Sequence, residues 1–193
     1  MTDAIDTLEL PHAGGRCPIH IGVGVLKRAR DLVPALAAAG RVFLVADEAV
    51  GDTHAAVLAE GLAAAGIAVD TAAITATEQA KRPETVTRLH EAMAAARVER
   101  GTPVLAVGGG ITGDVVGFAA ATWLRGVPVI QVPTTLLAMV DAAIGGKTGV
   151  NLPMPGGGLR KNMVGAFWQP MAVLSDPSTL GTLERRELRC GLA

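Results

Sequence analysis

The chain has 193 residues, half of them apolar, with a mean hydropathy of +0.40, and its 17 basic and 18 acidic side chains leave a net charge of −1. This apolar content excludes a disordered chain, and the balanced charge with only 3% aromatic residues excludes a general attraction to nucleic acid. No stretch reaches the roughly 18 apolar residues of a membrane span, and Cys17 and Cys190 form no metal or disulfide pattern, so a cytoplasmic protein without a secretory signal is expected.

Residues 5–22 read as two short extended segments about a turn at Gly14-Gly15, and Gly24–Ala39 as a helix closed by Gly40. A regular alternation follows. Val42–Ala46 and Ile67–Ile74 are strand-like, with Val50–Ala65 helical between them and Gly66 at its end. Pro83–Val98 reads as a helix with proline in its first turn. Val104–Val107, Asp114–Leu124 and Val127–Val132 continue strand, helix, strand. Apolar strands alternating with helices predict an α/β fold: a mostly parallel sheet with helices on both faces. After Lys147 the pattern loosens into a Gly/Pro-rich loop, GVNLPMPGGGLRKNMVGAFWQP, then a strand-like MAVLS and a turn at Asp176-Pro177. Leu183–Ala193 reads as a helix with Thr182 as its N-cap.

Ligands in such folds bind beyond the carboxyl ends of the strands, and the chemistry-bearing residues lie there. Asp47 follows one strand, Gly108-Gly109-Gly110 another, and Pro133-Thr134-Thr135 a third. Glycines at a strand-to-helix turn let backbone N–H groups approach a phosphate, and a helix N-terminus favours negative charge. GGGxxGD is not the GxGxxG dinucleotide fingerprint, and no such fingerprint occurs elsewhere. Taken alone, the glycine turn equally suits a tight helix entry with Asp114 as a cap, and Thr134-Thr135 also suits a helix cap, though less well than a ligand contact. Asp141, set among Val140, Ala142 and Ala143 and followed by Gly145-Gly146-Lys147, is poor material for a solvated face. Glu78 and Lys81, following a strand, suit hydroxyl and phosphate contacts of a nucleotide. The four histidines all lie at or before His90 and form no metal-ligand spacing, so no metal site is assigned to these residues.

The run Gly108–Gly149, with KNMVGAFWQP and LERRELRCGLA after it, resembles 3-dehydroquinate synthase of the sugar-phosphate cyclases. Thr77–Val86 resembles that family's adenosine-contacting EQxK segment. The resemblance implies a Rossmann-like NAD-binding domain over 1–182, with a short N-terminal β-hairpin, and at 183–193 the start of a helical C-terminal domain that is otherwise absent. It implies a cytoplasmic homodimer that takes a sugar phosphate, uses NAD, and in the full-length enzyme holds a divalent metal (zinc or cobalt) on ligands absent here. The implied reaction turns 3-deoxy-D-arabino-heptulosonate 7-phosphate into 3-dehydroquinate and phosphate through transient oxidation, elimination, re-reduction and an aldol closure. By the same resemblance Asp47, Glu78 and Lys81 bind the adenosine side of NAD, and Gly109, Gly110 and Asp114 the pyrophosphate and ribose. Thr134 and Thr135 lie near the nicotinamide half, and Thr179, Thr182, Leu183 and Glu187 complete the cofactor side. Asp141, Lys147 and Asn162 face the substrate, Lys147 and Lys161 also approach NAD, and Arg125 reaches the substrate phosphate of the partner subunit. The chain departs from the family at Met154–Arg160, which reads as an insertion, and at Glu184, where the family has proline. Another sugar-phosphate cyclase (valiolone-type or amino-dehydroquinate synthase), a metal-dependent polyol dehydrogenase and a non-catalytic nucleotide-binding module are the alternatives. The chain alone is expected to lack cyclase activity and to expose an apolar face near Leu188 and Leu192.

Overall fold

The computed structural model describes residues 4–193, so the first three residues of the expected 1–182 unit lie outside the described residues. β1 (Asp6–His12) and β2 (Gly15–Ile21) form the antiparallel hairpin expected about Gly14-Gly15. The helix read over Gly24–Ala39 is broken. Pro34, which has no N–H to donate and pushes Val33 out of the helical region, separates α1 (Ala29–Leu32) from α2 (Pro34–Ala39). β3 (Arg41–Asp47), α3 (Ala56–Ala64) and β4 (Ala68–Ile74) follow, with a π-helical turn at Gly51–Ala55 leading into α3. Next come α4 (Pro83–Ala95), β5 (Val104–Gly108), α5 (Gly110–Thr122) and β6 (Val129–Pro133).

The segment after Lys147 is not the loop expected there. It is an antiparallel hairpin of β7 (Lys147–Pro153) and β8 (Leu159–Phe167), lying along α5. Glycines that read as loop residues are what let these strands close: a Cβ on Gly165 would sit 2.1 Å from the Thr148 carbonyl oxygen. The Met154–Arg160 stretch makes the hairpin tip and the first residues of β8, with Gly156, Gly157 and Gly158 all at positive φ. β9 (Ala172–Ser175) and a 3₁₀ turn (Pro177–Thr182) lead to α6 (Arg185–Leu192). Thr182 is not the N-cap of α6, since the helix starts later, after Glu184. The Thr182 hydroxyl instead donates to the Thr179 carbonyl at 3.0 Å and meets His54 Nε2 at 2.9 Å, tying the 3₁₀ turn to the π-helical one.

Seven strands form one sheet in the order β1-β2-β9-β6-β5-β3-β4, parallel throughout except for β1 against β2. Alternate residues of each central strand feed two cores. Val42, Leu44 and Ala46 of β3 pack with Leu26, Leu36, Leu58 and Leu62 on the face covered by α1–α3. Phe43 and Val45 pack with Leu89, Met93, Val115 and Ala119 on the face covered by α4 and α5. Each fully buried Leu or Phe among these contributes about 2 kcal/mol of transfer free energy. α6 buries no residue: Leu192 is 73% exposed and Leu188 is half-buried.

The chain winds outward from β3 to β4, then reverses across β3 to β5 and onward to β6. This puts the helix after β3 on one face and those after β4 and β5 on the other, as right-handed crossovers require. The reversal opens a crevice between the carboxyl ends of β3 and β5, the place where such sheets bind ligands.

Candidate active site

Asp47 closes β3 at this crevice, its Oδ1 accepting the Ala49 N–H at 3.3 Å. On the other side β5 ends in Gly108, and Gly109 stands before α5 with no side chain to cap the helix. The chain is so close to its own helix that a Cβ on Gly108 would lie 2.4 Å from Thr112 Oγ1. The N–H groups of the first turn of α5 therefore face the crevice side without a side-chain acceptor, the ordinary cradle for a phosphate. Thr112 is fully buried here and its hydroxyl has no partner. Asp114 does not cap α5: it lies in the helix, beyond the first turn, and turns to Lys81. Thr134 is buried, its N–H donating to the Gly108 carbonyl at 2.9 Å, while Thr135 Oγ1 accepts the Ala138 N–H at 3.3 Å. Thr135 thus does serve as a cap, for the turn that carries Asp141.

Beside this crevice lies a polar network. The loop after β4 brings in Lys81, only 4% exposed, whose ammonium donates to Asp114 Oδ2 and to Asn162 Oδ1, the latter at 2.6 Å. Asn162 adopts left-handed backbone, φ 55, on β8. Asn151, fully buried on β7, donates from Nδ2 to the Glu78 carbonyl at 3.1 Å and to Glu78 Oε2 at 2.9 Å. Its Oδ1 accepts the Asn162 N–H at 2.9 Å, and its own N–H donates to the Lys81 carbonyl at 2.8 Å. Lys161 reaches Glu78 at 3.4 Å, a largely solvated pair of small energetic weight.

The network forms one wall of a cavity of about 490 Å³, lined among others by Asp114, Asp141, Lys147, Thr148, Asn162 and Phe167. Asp141 sits in a π-helical turn, Ala138–Ala142, and Lys147 opens β7 after a glycine pair held by the following segment. Trp168 N–H donates to the Gly146 carbonyl at 2.8 Å, and a Cβ on Gly146 would meet the Gln169 amide at 2.8 Å. Burial pushes the Asp114 carboxyl above its ordinary value despite the Lys81 ammonium, with Glu78 and Asp141 adding to the rise. Glu78 moves the other way, held low chiefly by the Asn151 amide and further by Lys161, against burial. The cavity thus combines a carboxyl of raised proton affinity, a second carboxylate, and a lysine with room for a polyhydroxylated anion.

The structure thus gathers Glu78, Lys81, Asp114, Asp141, Lys147, Lys161 and Asn162 in and around the cavity, with Gly109, Gly110, Thr134 and Thr135 beside it. Thr179, Thr182 and Leu183 lie on the 3₁₀ turn and just past it, while Glu187 is exposed on α6. Arg125 stands apart, exposed beyond the far end of α5 with φ 69, and is not among the cavity's lining residues. Sequence reasoning gave no role to Asn151 or to Trp168-Gln169. A lone Asn between Val150 and Leu152 was the available signal for the first. Among the described residues no group of three His, Cys, Asp or Glu could hold a metal ion.

The fold and the cavity define a class, and comparison with known proteins narrows it. The family model described as 3-dehydroquinate synthase N-terminal matches residues 71–190. A 3-dehydroquinate synthase of Synechococcus sp. (strain CC9605) is 52% identical over 153 residues, 79% of this chain and 40% of that protein. That of Laribacter hongkongensis is 44% identical over 187 residues, 97% of this chain and 50% of that protein. Among solved structures, a 2-deoxy-scyllo-inosose synthase complexed with carbaglucose-6-phosphate, NAD+ and Co2+ superposes with a TM-score of 0.87 at 31% identity, over 97% of this chain and 50% of that one. The architecture is therefore that of the sugar-phosphate cyclases. Within that class, the chain belongs to the 3-dehydroquinate synthase family. It spans about half the length of the curated relatives it matches.

Proposed function

We propose that the protein is a 3-dehydroquinate synthase that binds NAD across the crevice between β3 and β5 and takes a sugar phosphate in the adjoining cavity. The observation that carries the reading is Lys81, buried between Asp114 and Asn162 at the boundary of crevice and cavity. A buried ion pair set at a strand-end crevice is a common element of ligand sites. The uncapped first turn of α5, the tight Gly108–Thr112 approach and the unpartnered Thr112 hydroxyl fit the pyrophosphate of NAD. When bound, NAD supplies a reversible hydride acceptor for a ring hydroxyl.

The residues then divide the work. Asp47, Glu78 and Lys81 hold the adenosine side, with Thr179, Thr182, Leu183 and Glu187 closing it. Gly109, Gly110 and Asp114 hold the pyrophosphate and ribose, and Thr134 and Thr135 border the nicotinamide. Asp141, Lys147 and Asn162 orient the substrate hydroxyls and phosphate, Lys161 approaches the cofactor, and Arg125 serves a partner subunit in a homodimer. Residues 1–182 form the NAD-binding unit and 183–193 begin a second, helical one. The divalent metal, zinc or cobalt, belongs to the full-length enzyme; the described residues hold no group of three donors that fits it. The proposed location is the cytoplasm; no helix of the described residues is long and apolar enough to cross a membrane.

Calorimetry of NAD with the chain tests the cofactor assignment: Lys81→Ala and Asp114→Ala should each weaken binding at least tenfold, and the assignment fails if neither does. Phosphate release from 3-deoxy-D-arabino-heptulosonate 7-phosphate by the whole protein tests the reaction, and the 193-residue chain by itself should bind NAD without releasing phosphate. The 0.87 superposition on a 2-deoxy-scyllo-inosose synthase supports a second reading, a cyclase for another sugar phosphate. Turnover of hexose phosphate in place of heptulosonate phosphate would favour it.

A further inference from the structure

The β7–β8 ladder is regular from Lys147↔Phe167 to Val150↔Val164, then resumes at Leu152↔Arg160. Between these pairs Asn151 alone stands opposite Lys161, Asn162 and Met163. Bulges of this kind re-aim side chains and bend the strand that carries the excess residues. Here the bulge sends two asparagine side chains to the loop after β4. Asn162, in left-handed backbone, reaches Lys81, and its N–H falls on the Asn151 carboxamide. Asn151 joins three members of the network, bonding to the Lys81 carbonyl, the Glu78 carbonyl and carboxylate, and the Asn162 N–H.

All of its hydrogen-bonding groups that face the loop are used, and it is fully buried. Its side chain does not line the cavity, so it has no direct access to a ligand there. A shift of the loop holding Glu78 and Lys81 must therefore either carry Asn162 with it or break these hydrogen bonds, and the reverse holds too. We propose that Asn151 is a positioning residue that fixes Glu78, Lys81 and Asn162 relative to one another, so that the cofactor crevice and the substrate cavity are set as one unit. Its functional weight rests on the reading of the crevice as an NAD site.

A double-mutant cycle tests it. Asn151→Asp keeps the acceptor for the Asn162 N–H but puts a carboxylate against Glu78. Adding Glu78→Gln to that variant removes the charge repulsion, because the amide introduced at position 78 can donate to the carboxylate introduced at position 151, while the contact with the residue 78 carbonyl is altered equally in both backgrounds. NAD affinity should fall at least tenfold in Asn151→Asp, and the same substitution made in the Glu78→Gln background should cost less than threefold. Equal losses in both backgrounds overturn the proposal, because a loss that ignores the charge at residue 78 does not act through the Asn151–Glu78 contact. Amide hydrogen exchange supplies a readout that needs no cofactor. Asn162 N–H should stay protected in Asn151→Asp and exchange at least tenfold faster in Asn151→Ala, and unchanged exchange in the alanine variant overturns the brace. Should the wild-type chain bind no NAD, the cofactor reading fails by itself, while the exchange experiment still decides the role of Asn151. If Asn151→Asp does not fold, Asn151→Ser takes its place: it keeps an acceptor but cannot span to Glu78, and NAD affinity equal to wild type overturns the proposal.

Discussion

Lys81 and Asp114 form a pair that neither residue tolerates losing alone. Asp114 is a half-buried carboxylate whose Lys81 partner offsets part of its desolvation. Lys81→Met should destabilise the chain by about 2 kcal/mol in chemical unfolding, below the range for fully buried pairs because Asp114 keeps some solvent contact. Lys81→Met combined with Asp114→Asn should lose less than the first substitution alone, since no unpaired charge then remains. Glu78 and Asp114 also have opposite pH signatures. The folded value of Glu78 lies below its unfolded value of 4.5, so its stabilisation is present above that pH and is lost as pH falls through the folded value. Asp114 is raised from 3.8, so its share is present below that pH and is lost as pH climbs through the raised value. Glu78→Gln should therefore flatten the acid limb: its urea midpoint should drop less than the wild type's between about pH 5.5 and about pH 3.5. Cys17, buried with its thiol pushed up to about 11, should resist a thiol reagent in the native chain. Exposed Cys190 should react at once, giving one titratable thiol before unfolding and two after.

At the level of elements, the turn after α5 and the end of β8 interlock. Gly126 has φ 122, and a Cβ there would fall 2.2 Å from the Trp168 ring, whose Nε1–H donates to the Val127 carbonyl at 2.9 Å. Gly126→Ala should cost more than about 2 kcal/mol, and Trp168→Phe about 1 kcal/mol, in thermal unfolding of the chain. The strands and helices of the main sheet were legible because their apolar runs are strong and their ends are marked by Gly40, Gly66 and Pro83. The break at Pro34 was not legible, because the apolar spacing on either side of it reads as one continuous helix. The hairpin after Lys147 was not legible: its glycines are there for close strand approach, and single-sequence reading takes glycine for a turn. The same limit applies to the site. Glu78, Lys81, Asp114 and Asn162 could be singled out by type and strand-end position, but their meeting depends on a bulge that has no local signal.

Considered as a whole, the molecule leaves apolar side chains around the cavity mouth and on α6. Phe167 is 81% exposed, and Leu137 and Val140 are exposed in the turn against which α6 packs at Gly191. Exposed apolar side chains in this number favour association. The 193-residue chain should self-associate with rising concentration in sedimentation velocity, and Phe167→Ser with Leu192→Ser should shift it toward monomer; a wild-type chain that stays monomeric throughout refutes this.

The position of the N-terminal hairpin in the sheet has a consequence of another kind. β2 joins the sheet only through β9, by pairing Ile19 with Val173, and Asp176 then accepts the Gly24 N–H at 2.9 Å across 152 residues. On a ribosome β1 and β2 must wait, unpaired with the rest of this sheet, until β9 has emerged. The central strands β3 to β6, whose partners are close in the chain, can assemble meanwhile. β1 and β2, made before the other strands of this sheet, are thus among the last to take their place in it, and a pause in translation ahead of β9 would prolong the interval in which their edges stand open.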